Sequence, residues 1–300
     1  MIHKRFAILA GSILGIALLA GGCDKKDDSA AGPAPTALSP VTNLKAYSAS
    51  ATSVGLNWTA TTSASSADFS DYQVTVKQGG AVVGTPATVA KTQTATVISG
   101  LTEGTIYTFE VVARAVSGST TSTSSEAATI QWSPAKRLTQ DSGLPIKVYE
   151  TTSSVGGSGL IFYNPAVSGP QAVPQNTSTI DMYVHTEPAG VSMKSASEYN
   201  AAWHYTRFST FTVNTASLDD PQTVPPDTST FTQTIVTIDS AAVTASRIYY
   251  FKGNDGNYGR LLVKMNPVTN SLVWGTSPDQ YLNMEISYQS MPYVRFAKTK

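Results

Sequence analysis

The spacing of apolar positions changes character several times along the chain. From Phe6 to Ala20 they form one near-continuous run behind the basic start His3-Lys4-Arg5. That run is shorter than the ~20 apolar residues a membrane-spanning helix needs. Residues 24 to 40 are dominated by Asp, Lys, Ser, Ala, Gly and Pro. Such a stretch buries too little surface to offset its chain entropy, which predicts a disordered tether. From Val41 the period becomes two. Ser53–Thr59 places Val54, Leu56 and Trp58 on one face, and Tyr72–Val76 does the same with Tyr72, Val74 and Val76. Ile106–Ala113 aligns Tyr107, Phe109, Val111 and Ala113. Alternation with turn residues between the runs predicts antiparallel strands, each with one buried and one wet face.

Trp132-Ser133-Pro134 closes this first β unit, and Ala135 to Gln140 reads as a short linker. The alternation then resumes in Ile146–Glu150, Gly159–Tyr163, Thr179–Thr186, Tyr205–Val213, Thr230–Ile238, Arg247–Phe251, Gly259–Met265 and Leu282–Gln289. Gly253-Asn254-Asp255-Gly256-Asn257 between two of these runs is a hairpin turn. Ser195-Ala196-Ser197-Glu198 has capping-box spacing and predicts one short helix through Trp203. The proline-bearing stretches Asn164–Asn176 and Leu218–Asp227 read as loops. The fold class expected is all-β: a sandwich over 41–132, followed by a second β-rich domain of sandwich or jelly-roll type over 135–300.

Charge and composition narrow the partners. The chain has 20 basic and 20 acidic residues, and losing an N-terminal segment that carries Lys4 and Arg5 leaves 18 against 20, a net charge of −2. No basic patch stands out, so nucleic acid is not an expected partner. Charged residues make up 13% of the chain, against the ~25% of a typical globular domain, which suits an extracellular β protein. There is one cysteine, Cys23, so each domain holds together by burial without disulfides.

That cysteine follows Leu18-Leu19-Ala20-Gly21-Gly22 directly and precedes Asp24-Lys25-Lys26-Asp27-Asp28. A basic start, an apolar run and small residues at the cut resemble a bacterial lipoprotein signal. Leu19 lies four places before the cysteine, where the family pattern has its leucine three before. The resemblance implies a signal peptide over 1–22, a tether over 23–40, and a diacylglycerol with an N-acyl chain such as palmitate on Cys23. More than one chain is what stable anchoring requires. The acidic cluster Asp24, Asp27 and Asp28 resembles a tether that sends lipoproteins to the outer face of the outer membrane; the alternative is a periplasm-facing protein.

Leu56-Asn57-Trp58 together with Ile98-Ser99-Gly100-Leu101-Thr102-Glu103-Gly104-Thr105-Ile106-Tyr107-Thr108-Phe109-Glu110-Val111 resembles a fibronectin type III domain. The resemblance implies that Trp58 is the buried indole of the second strand, that Leu101 caps the core at a corner, and that the Tyr107 hydroxyl ties that corner. The segment Ala115–Thr121 lacks the Arg-Gly-Asp by which some members bind integrins.

Motifs for chemistry are sparse. His185 and His204, the histidines after the signal, have no neighbour at zinc-ligand spacing. Ser153–Gly159 lacks the Gly-Lys-Ser/Thr ending of a phosphate loop, and no Gly-x-Ser-x-Gly elbow occurs. Asp219, Asp220 and Asp227 read as a solvated loop edge, and no catalytic or metal residues are assigned. Trp203, Tyr205, Trp274 and Tyr281 are the ligand-binding candidates, since exposed aromatic faces suit sugar rings or a protein partner; the alternative is core packing. Ile248–Lys252 and Tyr258–Leu262 are similar to a hairpin of HmuY-like haem-binding lipoproteins, which implies His185 and His204 as haem ligands. The expectation is a non-enzymatic, surface-anchored lipoprotein acting in binding or adhesion toward a protein or glycan. Haem or carbohydrate capture and a structural spacer are the alternatives. Specificity is expected in residues 135–300, with the first domain as reach.

Overall fold

The computed structural model describes residues 34–139, 145–218, 230–289 and 291–295. The first β unit runs through β1 (Thr36–Ala37), β2 (Thr42–Ser50), β3 (Ser53–Thr59), β4 (Phe69–Gln78), β5 (Ala81–Val82), β6 (Ala87–Ala90), β7 (Ala95–Ile98), β8 (Tyr107–Ala115), β9 (Ser122–Thr123) and β10 (Ala128–Trp132). One sheet has the order β2-β3-β7; the facing sheet has the order β10-β8-β4-β5, with β6 also on β4. The alternating residues Val54, Leu56, Trp58, Tyr72, Val74, Tyr107, Phe109 and Val111 are all buried in one core between them. Burying a side chain of this size stabilises by roughly 1.5–3 kcal/mol. Trp58 packs edge-on to Tyr72 at 5.3 Å between centroids. The Tyr107 hydroxyl accepts a bond from the Thr102 amide at 3.1 Å, which ties the corner beneath the buried Leu101. Order begins before Val41: β1 pairs parallel with β9, and Leu38 lies in the core.

The second unit comprises β11 (Arg137–Thr139), β12 (Ile146–Tyr149), β13 (Gly159–Asn164), β14 (Gly169–Val173), β15 (Met182–Glu187), β16 (Gly190–Ser195), β17 (Arg207–Asn214), β18 (Phe231–Gln233), β19 (Ile235–Asp239), β20 (Arg247–Lys252), β21 (Tyr258–Val263), β22 (Val273–Trp274) and β23 (Tyr281–Gln289). A large antiparallel sheet has the order β11-β23-β21-β20-β17-β18, with β12 and β22 also on β23. A smaller sheet has the order β14-β13-β15-β16-β19. Leu160, Phe162, Val184 and Met193 from the smaller sheet meet Phe208, Phe251, Leu261 and Met284 from the larger, all buried. Phe162 and Phe251 touch across the gap at 4.0 Å between centroids. The large sheet is also covered on its other face, where Ile248, Tyr250 and Leu262 pack with Leu218 and Phe231. Burial on both faces explains why Ile248-Tyr249-Tyr250-Phe251 is a continuous apolar run and not an alternating one.

Several elements differ from the periodicity reading. Thr230–Ile238 is not one strand: β18 pairs with β17 in the large sheet, and β19 pairs with β16 in the small one. The chain changes sheets at Thr234, whose carbonyl accepts from the Ser195 amide. Asn164–Asn176 is not a loop, since Gly169–Val173 returns as β14 along β13. The helix expected from Ser195 shortens to a 3-10 turn over Ala196–Glu198, which Ser195 caps by accepting from the Ser197 amide. Ser195 also serves Thr206 and His204, and these tertiary bonds replace helix propagation. β16 was not anticipated, because Val191 and Met193 are only two inward positions within a polar stretch. The segment Ala135–Gln140, read as a linker, holds β11, paired with Ser287–Gln289 of β23.

Candidate functional site

A cleft of about 340 Å³ is lined jointly by residues of the small sheet, the β20–β21 hairpin and β23; on β13 its residues Ile161 and Tyr163 alternate with the core residues Leu160 and Phe162. The small sheet contributes Ile161, Tyr163 and Asn164 from β13 and Asp181 from the approach to β15, with Pro165 and Thr179 alongside. The opposite wall is Asp255, on the β20–β21 hairpin, and Tyr288 from β23; His204 completes the rim. Tyr288 belongs to the core: its ring lies 6.0 Å from Phe162 and stacks on Phe251 at 5.9 Å. Burial, reinforced by the Asp181 charge, pushes the Tyr288 phenol up to about 12, so it enters any interaction protonated.

Asp181 organises the rim. Its Oδ2 accepts from the Phe162 amide at 2.7 Å and its Oδ1 from His204 Nδ1 at 2.9 Å. Its carbonyl accepts from the Thr206 hydroxyl at 2.8 Å. The segment from Ala196 to Thr206 is thereby pinned to the start of β15, although the two lie far apart in sequence. A carboxylate acceptor at Nδ1 fixes the proton there and leaves Nε2 as the ring's outward nitrogen. The hydrogen bond to Asp181 raises the His204 pKa, and the charges of Asp181 and Asp255 add to it against the opposing effect of burial. An oriented imidazole beside a carboxylate also occurs in hydrolases, but the residues lining this cleft include no serine or cysteine nucleophile. The cleft lining thus offers two carboxylates, an imidazole and two tyrosines as hydrogen-bonding groups.

A larger hollow of about 510 Å³ opens between Thr186–Gly190 and the Ser277–Gln280 loop. Its single ionisable lining group, Glu187, is already held by Ser192 at 2.7 Å and Lys194 at 3.2 Å. That engagement holds its carboxyl below the usual range, the Ser192 bond contributing most. Volume alone is a weaker sign of a site than convergent ionisable and polar groups, and the smaller cleft gathers more of them.

The expected aromatic residues divide between separate surfaces. Trp203 is half-buried and stacks on Tyr199 at 5.1 Å; Tyr199 meets Tyr183 edge-on at 5.9 Å over the outer face of the small sheet. Tyr205 is 45% exposed, with the Arg207 guanidinium 5.7 Å above its ring. Trp274 and Tyr281 stack at 6.0 Å, and Tyr149 continues the row at 5.0 Å across neighbouring strands of the large sheet. Trp203 and Tyr205 are the chain neighbours of His204, but neither lines the cleft, nor do Trp274 and Tyr281. His185 is likewise not in the cleft lining: it bonds Thr151 at 3.2 Å and lies edge-on to Tyr183. Of the two histidines, His204 lines this cleft and His185 does not. Among the described residues no group of three or more His, Cys, Asp and Glu side chains is placed to hold a metal ion. Cys23, Asp219, Asp220 and Asp227 lie outside the described residues. The cleft residues Asp181, Tyr163 and Tyr288 carried no sequence signal, being single positions on different strands.

The family model of the fibronectin type III domain matches residues 39–131. Solved structures similar to the chain include the two-domain fibronectin type III segment of chicken tenascin, 17% identical, covering 75% of this chain and 91% of that one at a TM-score of 0.26. Domains d3–d4 of rat CD45 are 14% identical over 44% of this chain and 82% of that one, at 0.28. The fn3 domain of the human collagen alpha-1(XX) chain is 20% identical over 38% of this chain and 100% of that one, at 0.28. No curated protein matches the sequence. With its buried indole, its tyrosine-tied corner and the family match, residues 39–131 are a fibronectin type III domain, followed by a second antiparallel β domain.

Proposed function

We propose that this is a lipid-anchored surface protein of the outer membrane that binds a glycan in the cleft of its second β domain and performs no chemistry on it. The observation that carries the reading is the cleft itself, where Asp181, Asp255, His204 and Tyr163 converge and no lysine or arginine lines the walls. Neutral sugars present hydroxyls to carboxylates and imidazoles and ring faces to aromatics, and the lining residues Tyr163 and Tyr288 supply rings. Anionic ligands meet two carboxylates there and are disfavoured. The anchor is supported by Gly21-Gly22-Cys23 behind an apolar run, which makes Cys23 the acylated residue. A fibronectin type III domain fits binding, adhesion or spacing, and here it stands between the anchor and the cleft. A glycan array probed with the soluble Cys23→Ser chain tests the reading. Neutral glycans are expected among the bound features; binding confined to anionic glycans, or to none, overturns it.

A further inference from the structure

The cleft is joined to the fibronectin type III domain by a continuous set of contacts running through the chain's last described residues. The β20–β21 hairpin, which brings Asp255 to the cleft, is closed by Gly253 donating to the Asn257 carbonyl at 2.8 Å. The buried Asn257 amide donates to the Gln289 carbonyl at 3.1 Å, beside the cleft residue Tyr288. Behind the hairpin, the Tyr293 amide donates to the Gly256 carbonyl at 2.9 Å. The Tyr293 ring lies so close to Gly256 that a Cβ there would fall 2.8 Å from it. Lys252, 9% exposed, places its Nζ 5.2 Å from the centroids of both Tyr258 and Tyr293, a cation between two rings. Tyr293 itself adopts φ 63°, a left-handed backbone that a bulky residue adopts only where its surroundings fix it.

The same tail reaches the first domain. Val294 is buried against Ala135, with Met291 packed alongside. Met291 Cε and Val294 Cγ2 lie 3.0 and 3.5 Å from where a Cβ on Gly104 would sit. Gly104 belongs to the corner that Tyr107 ties, and its amide donates to the Pro134 carbonyl at 2.9 Å. The seat is rigid: the buried Ser48 hydroxyl receives Trp132 Nε1 at 3.0 Å and the Ala135 amide at 3.2 Å, and donates to the Ser133 carbonyl at 3.0 Å.

We propose that the tail Met291–Val294 is a brace: Tyr293 positions the hairpin that forms one wall of the cleft, and the fibronectin type III corner at Gly104 and Ala135 anchors the brace through Met291 and Val294. The first domain is then part of what holds the cleft in shape as well as reach. This holds whatever the cleft binds. The test uses the full chain in a Cys23→Ser background with amide hydrogen exchange and spin labels at Val97→Cys and Val268→Cys, both exposed positions. Val294→Asp is expected to lower protection of residues 252–258 at least tenfold and to broaden the distance distribution between labels, with protection in β2 and β3 unchanged. Tyr293→Ala is expected to lower hairpin protection similarly while leaving the distances as they were. Tyr293 is 73% exposed, so its loss does not threaten the core, and it decides the matter if Val294→Asp fails to fold. Unchanged hairpin protection in Tyr293→Ala, or broadened distances with full hairpin protection in Val294→Asp, would overturn the proposal.

Discussion

Asp181 holds β13, β15 and the His204 segment together with one carboxylate and one carbonyl, and this makes part of the stability pH-dependent. The bond raises the His204 pKa above its ordinary 6.5, so the folded chain binds that proton more tightly than the unfolded one. The resulting stabilisation is fully present below the unfolded value and is lost as pH rises through the raised one. The ring is 45% exposed, so solvent screening keeps the effect below ~1 kcal/mol. Urea melts of the wild type and His204→Gln at about pH 5.5 and about pH 8.5 should show a gap that narrows at the higher pH. A gap that is equal or widens would contradict the Asp181 account. In the first domain, Trp58→Ala should cost ~3–5 kcal/mol, as for a buried aromatic, and Tyr107→Phe ~1 kcal/mol for one net hydrogen bond, both read from denaturant melts. Trp58, Leu101 and Tyr107 were legible in the sequence because a family pattern spaces them. Asp181 was not, because its meaning depends on a histidine 23 residues away that only the fold brings to it.

The strands that were easiest to read bury one face. β8 alternates over Tyr107–Ala113, β4 from Tyr72 to Val76 and β3 from Leu56 to Thr59, and there the periodicity fixes which side chains turn inward. β20 buries both faces, and the Thr230–Ile238 run divides between sheets, so neither shows its true role in a period-two pattern. Across the two sheets of the second domain, Phe162 meets Phe251 and Tyr288, the last of which also lines the cleft. Phe251→Ala removes a ring that packs on all of them and should cost ~3–5 kcal/mol. It should also shift the Tyr288 titration down from about 12, because the phenol becomes better solvated. NMR titration of ring-labelled tyrosine, with the Tyr288 signal assigned by its loss in Tyr288→Phe, reads this in the folded variant; a Tyr288 titration that stays in place would mean that its burial does not depend on the Phe251 stack.

On the scale of the whole molecule, the two β domains are joined with little slack. Only Ser133–Lys136 separates β10 from β11, and Lys136 donates its amide to Glu103 at 2.8 Å. That short junction is invisible to composition, which shows only a polar stretch after a tryptophan. Cys23→Ser should release the protein from membranes and abolish acyl labelling, measured by fractionation with a labelled fatty acid. Continued membrane partition of the mutant, with no label on the wild type, would contradict the anchor. The central proposal is that the cleft is where this protein binds a glycan. It is tested most directly by isothermal titration of the soluble Cys23→Ser chain with the strongest neutral glycan from the array, alongside Asp255→Ala, Tyr163→Ala and Trp274→Ala. Each cleft substitution is predicted to weaken binding at least tenfold, about 1.4 kcal/mol, while Trp274→Ala leaves it unchanged. Full affinity in both cleft variants, or its loss in Trp274→Ala alone, would place the site on another face and contradict the account.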